Sequence, residues 1–473
     1  MKKIIKFAEK LKSMDHSTID LGKGNVPALF AKIFVPTLVG MIFGVLLSIA
    51  DGIFVGHGCG SDALAAVNIV SPFFNVSSGI GFMFGSGASV VIAIHLSRDN
   101  IKAARINATQ ALSGSLLIMS FIVLLCCIFP TEILKLLGCT DKLMPLALDY
   151  FYFTMFSCVV YMFEAVGMYL VRLDGSPNYA SFCTVLPSVL NIVLDYIFIF
   201  PLDMGLKGAA LATFLSCCAS GVAVLVYMKG YVKTLKLYPL KLSKKISKIS
   251  SRNLWSMLRL GFPVMLGEFS MSVMMLVGNR IFVQMLHEDG VAAFSVVCYL
   301  IPIFFMLSSA ITQSAQPIVS YNYGAGNEKR VSAAFGLTLL TAVFCGSIVT
   351  LLFVYFTEPL TLLFLKENAQ AFPIAINGLK LFAVGFVAFA LNIVFVGFYQ
   401  SIEFARRAIW FTLLRGFFLM IPAFIVLPKF IGVDGLWLAV PCSEFITFAV
   451  ILIDFVILKR SEKWYKNINM SEE

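Results

Sequence analysis

Apolar residues in this chain gather into long unbroken runs separated by short polar stretches. The runs lie near residues 29 to 56, 63 to 95, 103 to 129, 146 to 171, 178 to 201 and 206 to 228, and again near 254 to 285, 290 to 322, 330 to 356, 371 to 399, 404 to 428 and 434 to 458. A helix rises about 1.5 Å per residue, so about 20 apolar residues cross the roughly 30 Å of bilayer hydrocarbon. Each run is long enough. The pattern predicts an all-α polytopic membrane protein of about twelve transmembrane helices. Its divisions are a cytosolic amphipathic N-terminus over 1–28, a six-helix lobe over 29–228, a basic connector over 229–253, a second six-helix lobe over 254–458 and a cytosolic tail over 459–473.

The two groups of six runs share one register. Residues 191 to 208 read NIVLDYIFIFPLDMGLKG, and 227 positions later Pro428, Gly432 and Gly435 stand where Pro201, Gly205 and Gly208 stood. The same offset relates Pro36 to Pro263, Gly40 to Gly267, Ala65-Ala66 to Ala292-Ala293 and Asn100 to Asn327. A single offset serving separate regions implies duplication. Because six is even, both halves enter the membrane in the same direction, which predicts lobes related by a pseudo-twofold along the membrane normal with a substrate site between them.

Composition sharpens this picture. The chain is 59% hydrophobic and only 13% charged, where a soluble domain has about a quarter of its residues charged. The net charge of +10 belongs to the loops, and most of the lysines and arginines fall on the face shared by both termini and the connector. That bias places both termini in the cytosol and the protein in the inner or plasma membrane. The connector holds Lys229, Lys233, Lys236, Lys241, Lys244, Lys245, Lys248 and Arg252, a solvated charge run beside anionic membrane lipid. No soluble segment is long enough to form a basic nucleic-acid-binding domain. Lys2, Lys3, Lys6, Lys10 and Lys12 alternate with apolar residues as in an amphipathic surface helix, not a secretion signal. The eleven cysteines lie mostly inside apolar runs and read as packing residues; Cys59 and Cys139, both in outer loops, leave a disulfide open.

Enzyme motifs are scarce. The four histidines, His16, His57, His95 and His287, form no H-E-x-x-H, and no phosphate-binding G-x-x-x-x-G-K-[ST] is present, so a nucleotide-driven pump is disfavoured. What remains is a set of ionisable and amide side chains inside spans, where they are costly and mark ion or substrate paths. Asp195 lies in the fifth run with Asn191 one helical turn away on the same face. Asp51 reaches a similar level from the first run, and Thr213 adds a hydroxyl from the sixth. Two acids, an amide and a hydroxyl suit a proton or a hard cation such as Na+; the alternative is a pair of interfacial caps. Glu164, at a different depth, and Glu268 are further candidate coupling or substrate acids, or buried structural hydrogen-bonding groups. Gln313 and Gln316 line a cavity or join helices. Glu444 and Asp454, on the last run, are expected to matter less. Gly40-x-x-x-Gly44 and Gly81-x-x-x-Gly85 read as close-packing sites.

These residues resemble those of the multidrug and toxic compound extrusion (MATE) transporters, over essentially the whole chain. The matching pieces are IADGIFVGHGCGSDALAAV (49 to 67), R-L-D-G-S-P (172 to 177), N-I-V-L-D (191 to 195), GLKGAALAT (205 to 213) and QSAQPIVSYNYGAGN (313 to 327). The resemblance implies two six-helix lobes, a cation site at Asp51, Asn191, Asp195 and Thr213, and export of amphipathic, often cationic, organic compounds in exchange for Na+ or H+, with no other cofactor. Two departures stand out. Met168 occupies a position where members often carry an amide, leaving it as a cavity-lining candidate, and the tenth run holds Asn377 and Asn392 but no acid. The alternatives are a flippase of lipid-linked sugars from the same superfamily and a membrane-embedded enzyme.

Overall fold

The computed structural model describes residues 20–239 and 244–460. The segment of the predicted amphipathic N-terminus before residue 20, Lys241 of the connector and the tail beyond residue 460 lie outside the described residues. The rest is helical, with no strand among the described residues. In order the helices are α1 (Val26–Cys59), α2 (Ser61–Ser97), α3 (Ile101–Ile128), α4 (Pro130–Leu136), α5 (Met144–Leu173), α6 (Pro177–Ile199), α7 (Gly205–Val226), α8 (Lys244–Gly324), α9 (Glu328–Tyr355), α10 (Thr357–Leu362), α11 (Ala371–Ala383), α12 (Phe386–Ser401), α13 (Ala405–Leu413), α14 (Met420–Ile431) and α15 (Val433–Arg460). The chain divides into two compact units at Gly261 and Phe262.

Twelve spans emerge from these helices. Ten helices among the described residues are long and apolar enough to cross a bilayer, and α11 with α12 make one more, bent by 45°. Helix α8 has 81 residues, about 120 Å at 1.5 Å per residue, which is far more than one span needs. His287, with φ 53° and ψ −145°, breaks it into two. Short α4 and α10, which the apolar runs did not reveal, directly follow α3 and α9 in the chain.

The duplication is visible in the backbone. Asn100 caps α3 by accepting from the Ala103 N–H at 3.1 Å, and Asn327 caps α9 by accepting from the Arg330 N–H at 3.2 Å. Left-handed residues recur at the same offset: Gly60 with His287, Asp99 with Gly326 and Gly205 with Gly432. Proline opens α1, α4, α5 and α6 within the first two positions, where its missing N–H costs nothing.

In the first unit α2 and α5 are the buried helices. Gly81 and Gly85 let α2 approach Ala165 and Tyr169 of α5, and Gly40 lets α1 approach Thr184 of α6. Gly44 faces open space, so the expected Gly40–Gly44 packing pair reduces to Gly40. In the second unit the core is aromatic: Phe282 stacks on Phe294 at 4.5 Å and meets the edge of Trp437 at 4.8 Å, and Gly378 leaves room for the indole. The bend between α11 and α12 falls at Gly385, whose Cα lies against Pro441 of α15.

The start of the connector is not a free charged linker. Helix α7 continues as a π turn over Tyr227–Tyr231, and the chain then folds onto Asp174. The Asp174 carboxylate accepts from the backbone N–H groups of Lys233, Thr234 and Leu235 at 2.7, 2.8 and 2.8 Å and from the Tyr227 hydroxyl at 2.8 Å. Arg105 donates to the Thr234 carbonyl at 2.7 Å. Asp174 is thus an anchor at the turn after α5, and Lys244 to Arg252, expected in the linker, already belong to α8.

Candidate cation site

Three helices of the first unit build the site. Pro201 and the left-handed Gly205 end α6 and turn the chain directly into α7, so that Asn191 on α6 and Thr213 on α7 lie side by side. The carboxyl of Asp51 on α1 comes within hydrogen-bond reach of that of Asp195 on α6. Asp195 is fully buried and Asn191 nearly so, while Asp51 and Thr213 are half-buried. With its amide turned one way, Asn191 donates to the Thr213 Oγ1 at 3.3 Å. Turned the other way, it donates to Asp195 Oδ2 at 2.8 Å and accepts from the Thr213 N–H at 3.1 Å, satisfying both ends. Asp51 Oδ1 and Asp195 Oδ1 have no partner among the described residues.

Two carboxyl groups in contact inside apolar helices cannot both stay ionised without a counter-charge. A proton shared between them, or a small cation held by carboxylate, amide and hydroxyl oxygens, supplies it. The donor set is all hard oxygen and fits Na+. Only two of the four groups are anionic, and no cluster of three His, Cys, Asp or Glu suited to a metal exists among the described residues, so the site suits a monovalent ion rather than a tightly held divalent one.

The other candidates fall elsewhere. Glu164, on α5, hydrogen-bonds with Ser220 of α7 and not with the aspartates. Glu268 is half-buried in the first part of α8. Gln313 and Gln316 are buried in the second unit, and Met168 is buried in α5. Cys59 and Cys139 are free thiols. Arg280 is exposed near the end of its span, as a snorkelling side chain should be.

Two features went unread in the sequence. Tyr150 of α5 is buried and lies close enough to feel both aspartates; tyrosines inside spans are too common to signal this. The second is a buried ion pair in the second unit. Arg415 donates to Glu444 through Nε at 3.0 and 3.2 Å and through Nη2 at 2.8 Å, and its guanidinium lies 4.4 Å above the Phe389 ring. Asn392 donates to the same carboxylate at 2.7 Å. Asn377 likewise meets Asp434 at 3.1 Å. Both tenth-span amides therefore take their acid from the last span, and Glu444 and Asp454, the latter paired with Arg407 at 3.1 Å, are structural partners.

Comparison with known proteins agrees with this architecture. The chain is 24% identical over 431 residues to the Multidrug export protein MepA of Staphylococcus saprophyticus, covering 90% of this chain and 93% of that protein. It is 24% identical over 418 residues to a protein of Shewanella oneidensis named FAD transporter, covering 86% and 90%. A solved structure of a multidrug resistance MATE family transporter in an outward-facing conformation superposes with a TM-score of 0.86 at 24% identity, over 94% of this chain and 99% of that one. Such relatives do not favour the lipid-linked sugar flippase. The MatE family model matches twice, over residues 36–197 and 263–431, with starts separated by the same 227 positions as the paired glycines and caps. Both halves, and well over half of the sequence, thus place the chain in the MatE family of multidrug and toxic compound extrusion transporters.

Proposed function

We propose that this protein is a secondary antiporter that exports amphipathic, often cationic, organic compounds in exchange for Na+ or H+ bound at Asp51, Asn191, Asp195 and Thr213. The observation that carries the proposal is the contact of Asp51 with Asp195 inside the apolar interior of the first unit. Ion and organic cation compete for that negative charge: whichever arrives relieves the repulsion, and binding of one weakens the other. The lysine bias supports a cytosolic connector face, and the inward ion gradient sets the direction of export. The work comes from the ion gradient, with no nucleotide and no chemical step on the substrate.

The test uses purified protein in vesicles with Na+ and H+ gradients imposed separately. An organic cation dye and, given the named relative, a flavin nucleotide serve as substrates. One gradient should drive uptake of the dye, and Asp195→Asn, which keeps the shape and removes the charge, should abolish it. Normal gradient-driven transport by Asp195→Asn would overturn the site.

A further inference from the structure

The acid pair is one end of a longer polar feature. On α6, Asp195, Asn191, Ser188 and Thr184 follow at spacings of four, three and four residues and share one helix face. On α7, Thr213, Ser216 and Ser220 do the same. The two rows run against each other. Asn191 meets Thr213 at 3.3 Å, and Ser220 donates to the Cys183 carbonyl at 2.8 Å, fixing the antiparallel register at two levels. Ser188 and Ser216 fall at one level between them. Ser188, Asn191, Asp195, Ser216 and Ser220 are each at least nine-tenths buried. Gly40 of α1 leaves the space that Thr184 occupies.

At the connector end of this seam stands Glu164 of α5, hydrogen-bonded with Ser220. The titratable groups facing it are thiols, Cys183 from α6 and Cys217 from α7. Helix α2 brings Gly81 against the next residue, Ala165, and among the described residues no Lys or Arg forms an ion pair with Glu164. Twelve residues separate Asp195 from Cys183 on α6, about 18 Å of helix, or well over half of the hydrocarbon thickness. Ser216 Oγ, midway, is buried without a partner, as are one oxygen of Asp51 and one of Asp195. Buried polar atoms of native proteins are nearly always satisfied, by protein or by water. Ser216, between the acid pair and Glu164, points to water as the ligand it holds.

We infer that this seam is a hydrated proton path in the first unit, with Glu164 as an inner proton-binding site that receives what Asp51 and Asp195 take up. Successive hydroxyl levels lie about one turn, 5.4 Å, apart, which one bridging water spans. In each step one O–H bond breaks as another forms, so the proton leaves the Asp195 carboxyl and ends on the Glu164 carboxylate with no other change. Ser188 already donates to the Thr184 carbonyl at 2.9 Å and keeps its lone pairs for a water, and the Ser216 hydroxyl has no partner among the described residues. This rests on the antiport reading above, with H+ as the ion.

The experiment compares Glu164→Gln, Glu164→Asp and the double variant Ser188→Ala, Ser216→Ala in proton-loaded vesicles, alongside Asp195→Asn. Dye transport and dye binding at equilibrium are both read. Glu164→Gln should slow proton-driven transport about tenfold or more while dye affinity stays within about twofold, and Glu164→Asp should restore part of the rate. The serine double variant should slow transport and enlarge the solvent deuterium isotope effect. Wild-type rates in Glu164→Gln, a parallel loss of dye affinity, or transport driven only by Na+ would each overturn the path. If Asp195→Asn loses transport while Glu164→Gln does not, the inner site alone is wrong; if Asp195→Asn transports normally, the antiport site is wrong as well.

Discussion

A carboxyl group that must be held in hydrocarbon is expensive enough to be seen without a structure, and that is why Asp51 and Asp195, 144 positions apart, could be paired on paper. Their shared level followed from counting residues to the ends of their runs. Tyr150 and the orphan Ser216 could not be found this way, because a phenol or hydroxyl in a span is cheap and common. The contact between the acids has a consequence that binding can measure. If ion and drug compete for one negative site, each must weaken the other by the same factor, and a useful coupling is about 1–3 kcal/mol, roughly 5- to 150-fold in affinity. Drug titrations at several ion concentrations, and ion titrations at several drug concentrations, should give one coupling constant. Independent binding would exclude competition at the pair.

His287 belongs to the same scale. Its φ of 53° with ψ of −145° lies where only glycine is at ease, and the first half has Gly60 at the matching position. His287→Gly should therefore raise thermal stability in detergent by about 1 kcal/mol, whereas an equal loss would show that the imidazole makes contacts worth more than the strain.

At the scale of elements, the sequence was most legible where local chemistry decides and least where neighbours decide. Span ends, asparagine caps and the loop glycines follow from the chain itself. The bend at Gly385 follows from Pro441 of another helix, and the π turn over Leu414–Leu419 from the need to place Arg415. That turn inserts an extra residue per hydrogen bond, a feature frequent at constrained positions. It brings Arg415 onto Glu444 and Asn392, tying three spans together where lipid offers no hydrophobic drive for helix association. Breaking such a pair leaves an uncompensated charge. Arg415→Met or Glu444→Met alone should cost about 3–5 kcal/mol, and the double substitution much less. Additive losses in thermal unfolding would show that the two side chains act independently. Glu444 is thus a residue whose loss is expected to weaken folding.

At the scale of the molecule, duplication explains why so much of the fold could be read and why the site could not be read twice. The halves share spans, caps and turns at one offset, yet the positions matching Asp51, Asn191, Asp195 and Thr213 are Gly278, Phe418, Pro422 and Val440. The scaffold was kept and the acid pair was not. The order in which an entering ion meets Asp195 and Glu164 depends on which face lies in the cytosol. An even number of spans in each half puts both termini and the connector on one face whatever the orientation, and the lysine bias assigns that face to the cytosol. Glu367 is exposed in the loop between α10 and α11, which the span count expects on the other face. A single reporter cysteine at Glu367→Cys, in a background without the native cysteines, should react with an impermeant thiol reagent applied to intact cells. One at Lys236→Cys should react only after permeabilisation. The reverse pattern would turn the protein over, place Asp195 near the cytosolic surface and Glu164 toward the outside, and so reverse the order in which an entering proton meets them.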